Sequence, residues 1–179
     1  MRLFVSIDLP SDIQQQLDSW LPTDIPGFKK TNPENLHLTL QYLGKCNPDH
    51  KDVIINKLKL ISFEPFSLVI DGVGVFPSQE SPRVIWGSIA KNEKLMKLQQ
   101  VVSDSLAEFL YEHKKRAFKP HITLGRIEKD ASMDFMNLHE NKYPIHFDVN
   151  FFTLKRSILK PEGAQHKILW KFESNVISE

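Results

Sequence analysis

The sequence predicts a mixed helix-and-strand domain made of two similar β-α-β halves. Three observations carry this. LFVSID (3–8) leads into a helical stretch, a loop and HLTL (37–40), while VIWGSI (84–89) leads into a helical stretch, a loop and HITL (121–124). The leading strands begin at Leu3 and Val84, 81 residues apart, and the histidine motifs at His37 and His121, 84 apart. An order repeated at a near-constant offset suggests two halves facing one another across a pseudo-twofold axis. Strands interrupted by helices also fit a doubly wound parallel sheet. The glycine-rich phosphate loops of its nucleotide-binding versions, G-x-G-x-x-G and G-x-x-x-x-G-K-[ST], are missing.

Taken in order, Leu3 to Asp8 is rich in strand formers and is bounded by Pro10. Ser11 to Leu21 reads as a helix, with Ser11 as N-cap and Ile13, Leu17 and Leu21 spaced by four. Pro22, Pro26 and Pro33 mark a loop. Leu36 to Leu43 alternates apolar and polar residues and reads as a strand ending at Gly44. Pro48 to Leu60 reads as a second helix. Phe66 to Phe76 reads as one or two strands interrupted by Gly72 and Gly74, and Arg83 to Ile89 as another. Lys91 to Tyr111 is the longest helical stretch, with Leu95, Leu98, Val102, Leu106, Phe109 and Leu110 at threes and fours. Pro120 to Ile127 is a strand, Ile145 to Leu159 holds strand material, and Ile168 to Phe172 closes the chain. Glu128 to Tyr143 follows no clear period.

The bulk numbers narrow the classes. The chain has 179 residues, 41% of them hydrophobic, enough for a core in one domain or in two small lobes that share one. Lys and Arg total 23 against 22 Asp and Glu, a balance that argues against broad duplex binding driven by phosphate neutralisation. A local positive patch that grips one phosphate remains compatible with it. Cys46 is the one cysteine, which excludes an intrachain disulfide and a cysteine-cluster metal site. The opening MRLFVSIDLP lacks the apolar run of a signal peptide, and no stretch has the length of a membrane span. A cytoplasmic protein without membrane contact is the expectation.

The chemistry sits in the two H-x-T motifs. Alternate residues of a strand share a face, so His37 and Thr39 point one way while Leu38 and Leu40 point the other. His121 and Thr123 are set likewise against Ile122 and Leu124. Each strand thus has an apolar side for the core and a polar side with an imidazole beside a hydroxyl. Two histidines suit phosphodiester cleavage, since a neutral one can take a proton from water and a protonated one can give a proton to the departing oxygen. The threonine hydroxyls can donate to the non-bridging oxygens. With seven histidines, roughly 0.3 chance matches to a loose H-x-[ST]-apolar pattern are expected, so two by chance is about a one-in-twenty event. Ordinary strand histidines with satisfied hydrogen bonds are the alternative. His50, His113 and His139 lie in polar or helical surroundings and read as solvated. His146 and His166 lie near strand starts without a matching motif. Neither H-x-x-x-H nor H-E-x-x-H occurs, so no metal site is expected.

FVSIDLP, LHLTLQYLG, GVFPS with PRVIWGSI, FKPHITLGR and SILKPEG, in this order, resemble the bacterial RNA 2',3'-cyclic phosphodiesterases. These were formerly called 2'-5' RNA ligases and belong to the two-histidine phosphoesterase superfamily. The resemblance spans nearly the whole chain. It implies a bilobal α+β fold, with two related lobes of antiparallel or mixed sheet around a central cleft and helices outside, as one domain over 1–179. It further implies hydrolysis of an RNA 2',3'-cyclic phosphate end to a 2'-phosphate, without cofactor, metal or obligate protein partner, with tRNA fragments among the candidate RNAs. By position His37 matches the family's proton donor, His121 its proton acceptor, and Thr39 and Thr123 its phosphate-binding threonines.

Four further residues are candidate substrate contacts. Arg126 fits the family pattern, yet strict alternation puts it on the Leu124 face unless a bulge at Gly125 turns it back. The alternative is a surface arginine. Arg83 is a second phosphate candidate, or else a strand-edge arginine. Phe4 and Trp86 could stack on a base, with a core role as the alternative. His166 stands where many relatives have a tyrosine, a departure in the shape of the last loop. Two other functions remain open: a non-catalytic nucleotide or RNA-end binding module, and a related phosphodiesterase acting on cyclic nucleotides or 2'-5' linkages. The presence of both histidines and both threonines favours an enzyme.

Overall fold

Leu3, Val5 and Ile7 alternate with Phe4, Ser6 and Asp8 along β1 (Arg2–Asp8), which therefore has an apolar side and a mostly polar one. The computed structural model describes residues 1–21, 26–78, 80–110, 117–128, 144–161 and 163–175. After β1 come α1 (Ser11–Ser19), β2 (Phe28–Lys30), β3 (His37–Lys45), α2 (Lys51–Leu58), β4 (Phe66–Phe76), β5 (Val84–Ile89), α3 (Glu93–Ser105), β6 (His121–Ile127), β7 (Ile145–Val149), β8 (Phe151–Lys160) and β9 (Gly163–Glu173). The strands form one sheet in the order β7-β4-β5-β6-β3-β1-β8-β9, with β2 also against β6.

From the β6–β3 seam outward, each half of the sheet reads alike: histidine strand, leading strand, then two more. The two-halves expectation is therefore met, as an α+β fold. The parallel alternative is overturned, because every strand pairing among the described residues is antiparallel. Asp8 at the end of β1 pairs with His37 at the start of β3, so the intervening helix and loop return the chain to the strand end it left.

The apolar side of the sheet is covered by the helices. Ile13 and Leu17 of α1, Ile54, Ile55 and Leu58 of α2, and Leu95, Leu98 and Val102 of α3 join Leu3, Val5, Ile7, Leu38, Leu40, Ile122 and Leu124 in one buried cluster. The polar side stays open to ligands. Among the described residues, no helix is long and apolar enough to cross a membrane.

Several boundaries differ from expectation for local reasons. α1 begins on Ser11 rather than after it; Pro10 occupies the cap, and no side chain caps the helix. α3 is capped instead by the Asn92 side chain, which accepts from Leu95 N–H at 2.9 Å. It ends at Ser105, before the predicted Leu106, Phe109 and Leu110, and a single 3-10 turn over Ala107–Phe109 follows. β3 runs through Gly44, which takes φ +71°, to Lys45. β4 is one strand despite Gly72 and Gly74. β2 was not foreseen in the proline-rich stretch. Tyr111, His113 and the unpatterned stretch from 129 to 143, His139 included, lie outside the described residues.

Candidate active site

β3 and β6 run antiparallel and meet at one pair, Leu38 opposite Ile122. These two side chains are fully buried on the helix-covered side. Alternation then puts His37, Thr39, His121 and Thr123 together on the open side, with His37 across from Thr123 and Thr39 across from His121. The two imidazoles are diagonal neighbours, an arrangement that spaces backbone positions by roughly 7–8 Å in a regular ladder.

The histidines are held in the same way. His37 Nδ1 donates to the carbonyl of Asn35 at 2.6 Å, and His121 Nδ1 donates to the carbonyl of Lys119 at 2.7 Å. In each case the carbonyl lies two residues earlier, where the chain enters the strand. A carbonyl only accepts, so the proton of the neutral ring sits on Nδ1 and Nε2 carries the lone pair.

Aromatic rings fix both planes. Phe4 and His166 pack on His37 at centroid distances of 5.0 and 5.1 Å, and Phe76 and Trp86 pack on His121 at 5.3 and 6.2 Å. Burial under such neighbours pushes the His37 imidazole down to about 4; Lys155 and His166 add to the effect, while the Asn35 carbonyl and Asp8 oppose it.

A charged network lies beside His37. Lys155 of β8 is buried and forms an ion pair with Asp8 of β1 at 2.5 Å. Thr153 Oγ1 donates to Asp8 Oδ2 at 3.2 Å, and Ser6 Oγ donates to Asp8 Oδ1 at 3.4 Å. The register places Asp8 opposite His37, and Phe4 opposite Lys155.

Arg126 reaches the same side through a bulge. Trp86 faces Thr123 and Ile85 faces Gly125, so one step along β5 matches two along β6, and Leu124 is the extra residue. Its carbonyl accepts Thr31 N–H at 2.9 Å. Val84 then faces Arg126, which shares Thr123's side. The bulge sits at Leu124 rather than at Gly125. Gly125 serves the packing of β2 instead. A Cβ there would overlap the Phe28 ring and stand 3.0 Å from the Lys29 carbonyl, so glycine lets β2 lie against β6.

A cleft of about 640 Å³ opens on this side, with Phe4, His37, Thr39, Thr123, Arg126 and His166 in its walls. Lys29, Lys30, Lys160 and Glu34 stand at its border, Lys30 paired with Asp18 at 2.7 Å. His121 is not among its lining residues; it stands two residues before Thr123 on the same side. Among the described residues, Arg83 and Trp86 do not line this cleft either. Arg83 precedes β5 and binds through its backbone, its N–H to Phe76 O at 2.7 Å. Trp86 is 8% exposed, stacked on Phe76 at 4.8 Å and lying over Gly74, where a Cβ would overlap its ring. It forms the wall behind His121. Phe4, 4% exposed, is both a core residue and part of the cleft wall.

Among the described residues, no group of three His, Cys, Asp or Glu stands close enough to hold a metal ion. Sequence reasoning missed the Asp8–Lys155 pair and the position of His166. Ser6 and Asp8 do alternate with Val5 and Ile7, and Thr153 and Lys155 are also spaced by two. That is the same polar-side signal as H-x-T.

An antiparallel sheet with helices on one side and paired H-x-T strands on the other defines an α+β protein with two motif histidines on one open sheet face. The chain belongs to the 2'-5' RNA ligase superfamily, whose sequence model matches residues 9–157. It is 33% identical to a protein of Archaeoglobus fulgidus named RNA 2',3'-cyclic phosphodiesterase, over 97% of this chain and all of that one. Among solved structures it is similar to TT0787 of Thermus thermophilus, with a TM-score of 0.80, 29% identity and 97% of each chain covered. It is also similar to E. coli LigT complexed with 3'-AMP, with a TM-score of 0.78, 27% identity and again 97% of each chain covered.

Proposed function

We propose that the protein hydrolyses RNA 2',3'-cyclic phosphate ends to 2'-phosphates, by acid–base catalysis in the cleft between the two histidine strands. The observation that carries this reading is the convergence of His37, Thr39, His121 and Thr123 on one side of the β3–β6 seam. Family membership, with relatives named for this activity, supports it. The RNA substrate implies a cytoplasmic setting, and residues 1–179 act as one catalytic domain.

In this mechanism the cyclic phosphate lies across the seam. Thr39 and Thr123 donate hydrogen bonds to the non-bridging oxygens, and the Arg126 guanidinium balances the charge that builds there. His121, neutral, takes a proton from the attacking water through its Nε2 lone pair. The new P–O bond forms as the bond from phosphorus to the ribose 3'-oxygen breaks. His37, protonated, gives its Nε2 proton to that oxygen, leaving a 3'-hydroxyl and a 2'-phosphate.

The burial of His37 bears on this division. Before substrate binds, a pKa of about 4 leaves its imidazole uncharged at neutral pH. The arriving phosphate brings negative charge beside it, which favours the imidazolium. Proton uptake by His37 therefore accompanies substrate binding. Phe4 contributes ring surface at the cleft wall for the terminal nucleoside.

The test is incubation with a short RNA ending in a 2',3'-cyclic phosphate, followed by location of the product phosphate. A 2'-phosphate is expected. Binding without turnover would instead establish a nucleotide-binding module, and a 3'-phosphate product would reverse the assignment of the leaving oxygen.

A further inference from the structure

His166 is not explained by the mechanism above. It projects from β9, lines the cleft and packs edge-on to both His37 and Phe4, at 5.1 and 4.9 Å. The corresponding ring positions around His121 are taken by Phe76 and Trp86. The His37 side thus carries a third imidazole where the His121 side carries only ring surface.

The two nitrogens of His166 differ. Nδ1 is buried and, among the described residues, has no hydrogen-bond partner. A buried N–H without an acceptor is costly, and an orphaned lone pair is more readily borne. The neutral ring therefore keeps its proton on Nε2, the nitrogen left to the cleft. This is the opposite tautomer to His37 and His121, whose Nδ1 atoms are committed as donors to carbonyls. His37 presents a lone pair and its neighbour presents an N–H. Lys155 from β8, Asp8 from β1 and His37 from β3 are the charged or titratable groups acting on it, and its own burial, reinforced by Lys155 and opposed by Asp8, keeps its pKa below the ordinary imidazole range. Before phosphate arrives it is therefore a neutral donor at neutral pH.

We propose that His166 is a substrate-binding residue whose Nε2–H donates to a phosphate oxygen on the His37 side of the cleft. The assignment rests on the phosphodiesterase reading for its substrate, but its test does not need turnover. The neutral and the protonated imidazole both carry this N–H, so the donor persists through the proton uptake that accompanies phosphate binding. The hydroxyl of a tyrosine at this position would supply the same donor from a ring of similar reach.

The experiment measures the affinity of inorganic phosphate and of 2'-AMP by calorimetry for the wild type, His166→Phe and His166→Tyr. The His37 ring-proton titration is followed by NMR to check that its packing is kept. Phenylalanine keeps the ring contacts and removes the donor, so affinity should fall about 10–100-fold, the usual worth of one hydrogen bond to a charged group. Tyrosine should restore it to within about twofold, since ring and donor are both present. With RNA substrate, His166→Phe should raise KM by a similar factor and leave kcat within about twofold. Phosphate binding by His166→Phe equal to wild type, in a protein with an unchanged His37 signal, would overturn the assignment. So would a loss in His166→Tyr as large as in His166→Phe. A wild type that binds phosphate but never turns over cyclic-phosphate RNA would refute the phosphodiesterase reading and leave the His166 assignment standing.

Discussion

Leu38 and Ile122 form the one paired position at which β3 meets β6, and this pair sets the phase of both histidine motifs. A slip of one residue on either strand would turn its histidine and threonine toward the helices. The two side chains are fully buried, so the core selects the register that brings the four polar residues together.

The first expectation concerns the histidines. His37→Ala and His121→Ala should each lower kcat by about 10²–10⁴ if each transfers a proton in the transition state. The double variant should lose less than the product of the two, because the pair acts as a unit. A substrate with a better 3'-leaving group needs less protonation and should rescue His37→Ala more than His121→Ala. Equal rescue would show that the acid and base roles are not divided in this way.

The pH dependence follows from the burial of His37. Its folded value of about 4 is the one that kcat/KM senses, so the lower limb of that profile should fall near pH 4. In the kcat profile, measured with phosphate bound, the limb should move upward. Stability should respond too. The unfolded chain holds more protons at this site between pH 4 and the ordinary imidazole value, so the stabilisation is complete above about 6.5 and is lost as pH falls toward 4, by at most about 3 kcal/mol. Urea midpoints at pH 7 and 4.5, compared between the wild type and His37→Phe, isolate this contribution.

Gly125→Ala should damage both stability and site. The added methyl overlaps Phe28, and β2 must shift. Overpacking of this kind costs about 1–3 kcal/mol. Because Arg126 follows directly, kcat/KM should fall as well, and urea melts beside single-turnover assays would separate the two effects.

Lys155→Met should destabilise strongly, by about 3–5 kcal/mol, because it leaves Asp8 half-buried and unpaired. The double change Asp8→Asn with Lys155→Met should recover most of that loss. A double variant no better than the single one would mean that the pair is not the source of the loss. Thermal melts of the four proteins complete the cycle.

Chelation is a simple check on the chemistry. With proton transfer assigned to imidazoles and anion binding to hydroxyls, turnover should be unchanged in EDTA. Loss of activity restored by zinc or manganese would favour a metal-assisted hydrolysis.

Much of this was legible in the sequence because it rests on local period. H-x-T-apolar declares a strand with a polar side, and the repeat of helix, loop and motif declares two halves. What could not be read depends on register. The bulge at Leu124 leaves no mark in the stretch ITLGRI beyond a glycine, and that glycine serves β2 instead. β2 is only three residues, FKK, too short for alternation to show. Asp8 and Lys155 are distant in sequence and meet only because β8 pairs with β1. His166 gave no motif, and its place beside His37 comes from the β8–β9 hairpin.

The sheet order also has a consequence for synthesis. β4, β5, β6 and β7 occupy one run from Phe66 to Val149, so every leading and outer strand of the His121 half is synthesised before β8. The His37 half is split around that run, with β1 and β3 before it and β8 and β9 after it, and β1 keeps an open edge until Phe151–Lys160 is made. A chain cut short after Val149 would keep the ladder behind one imidazole and lose the cation beside the other.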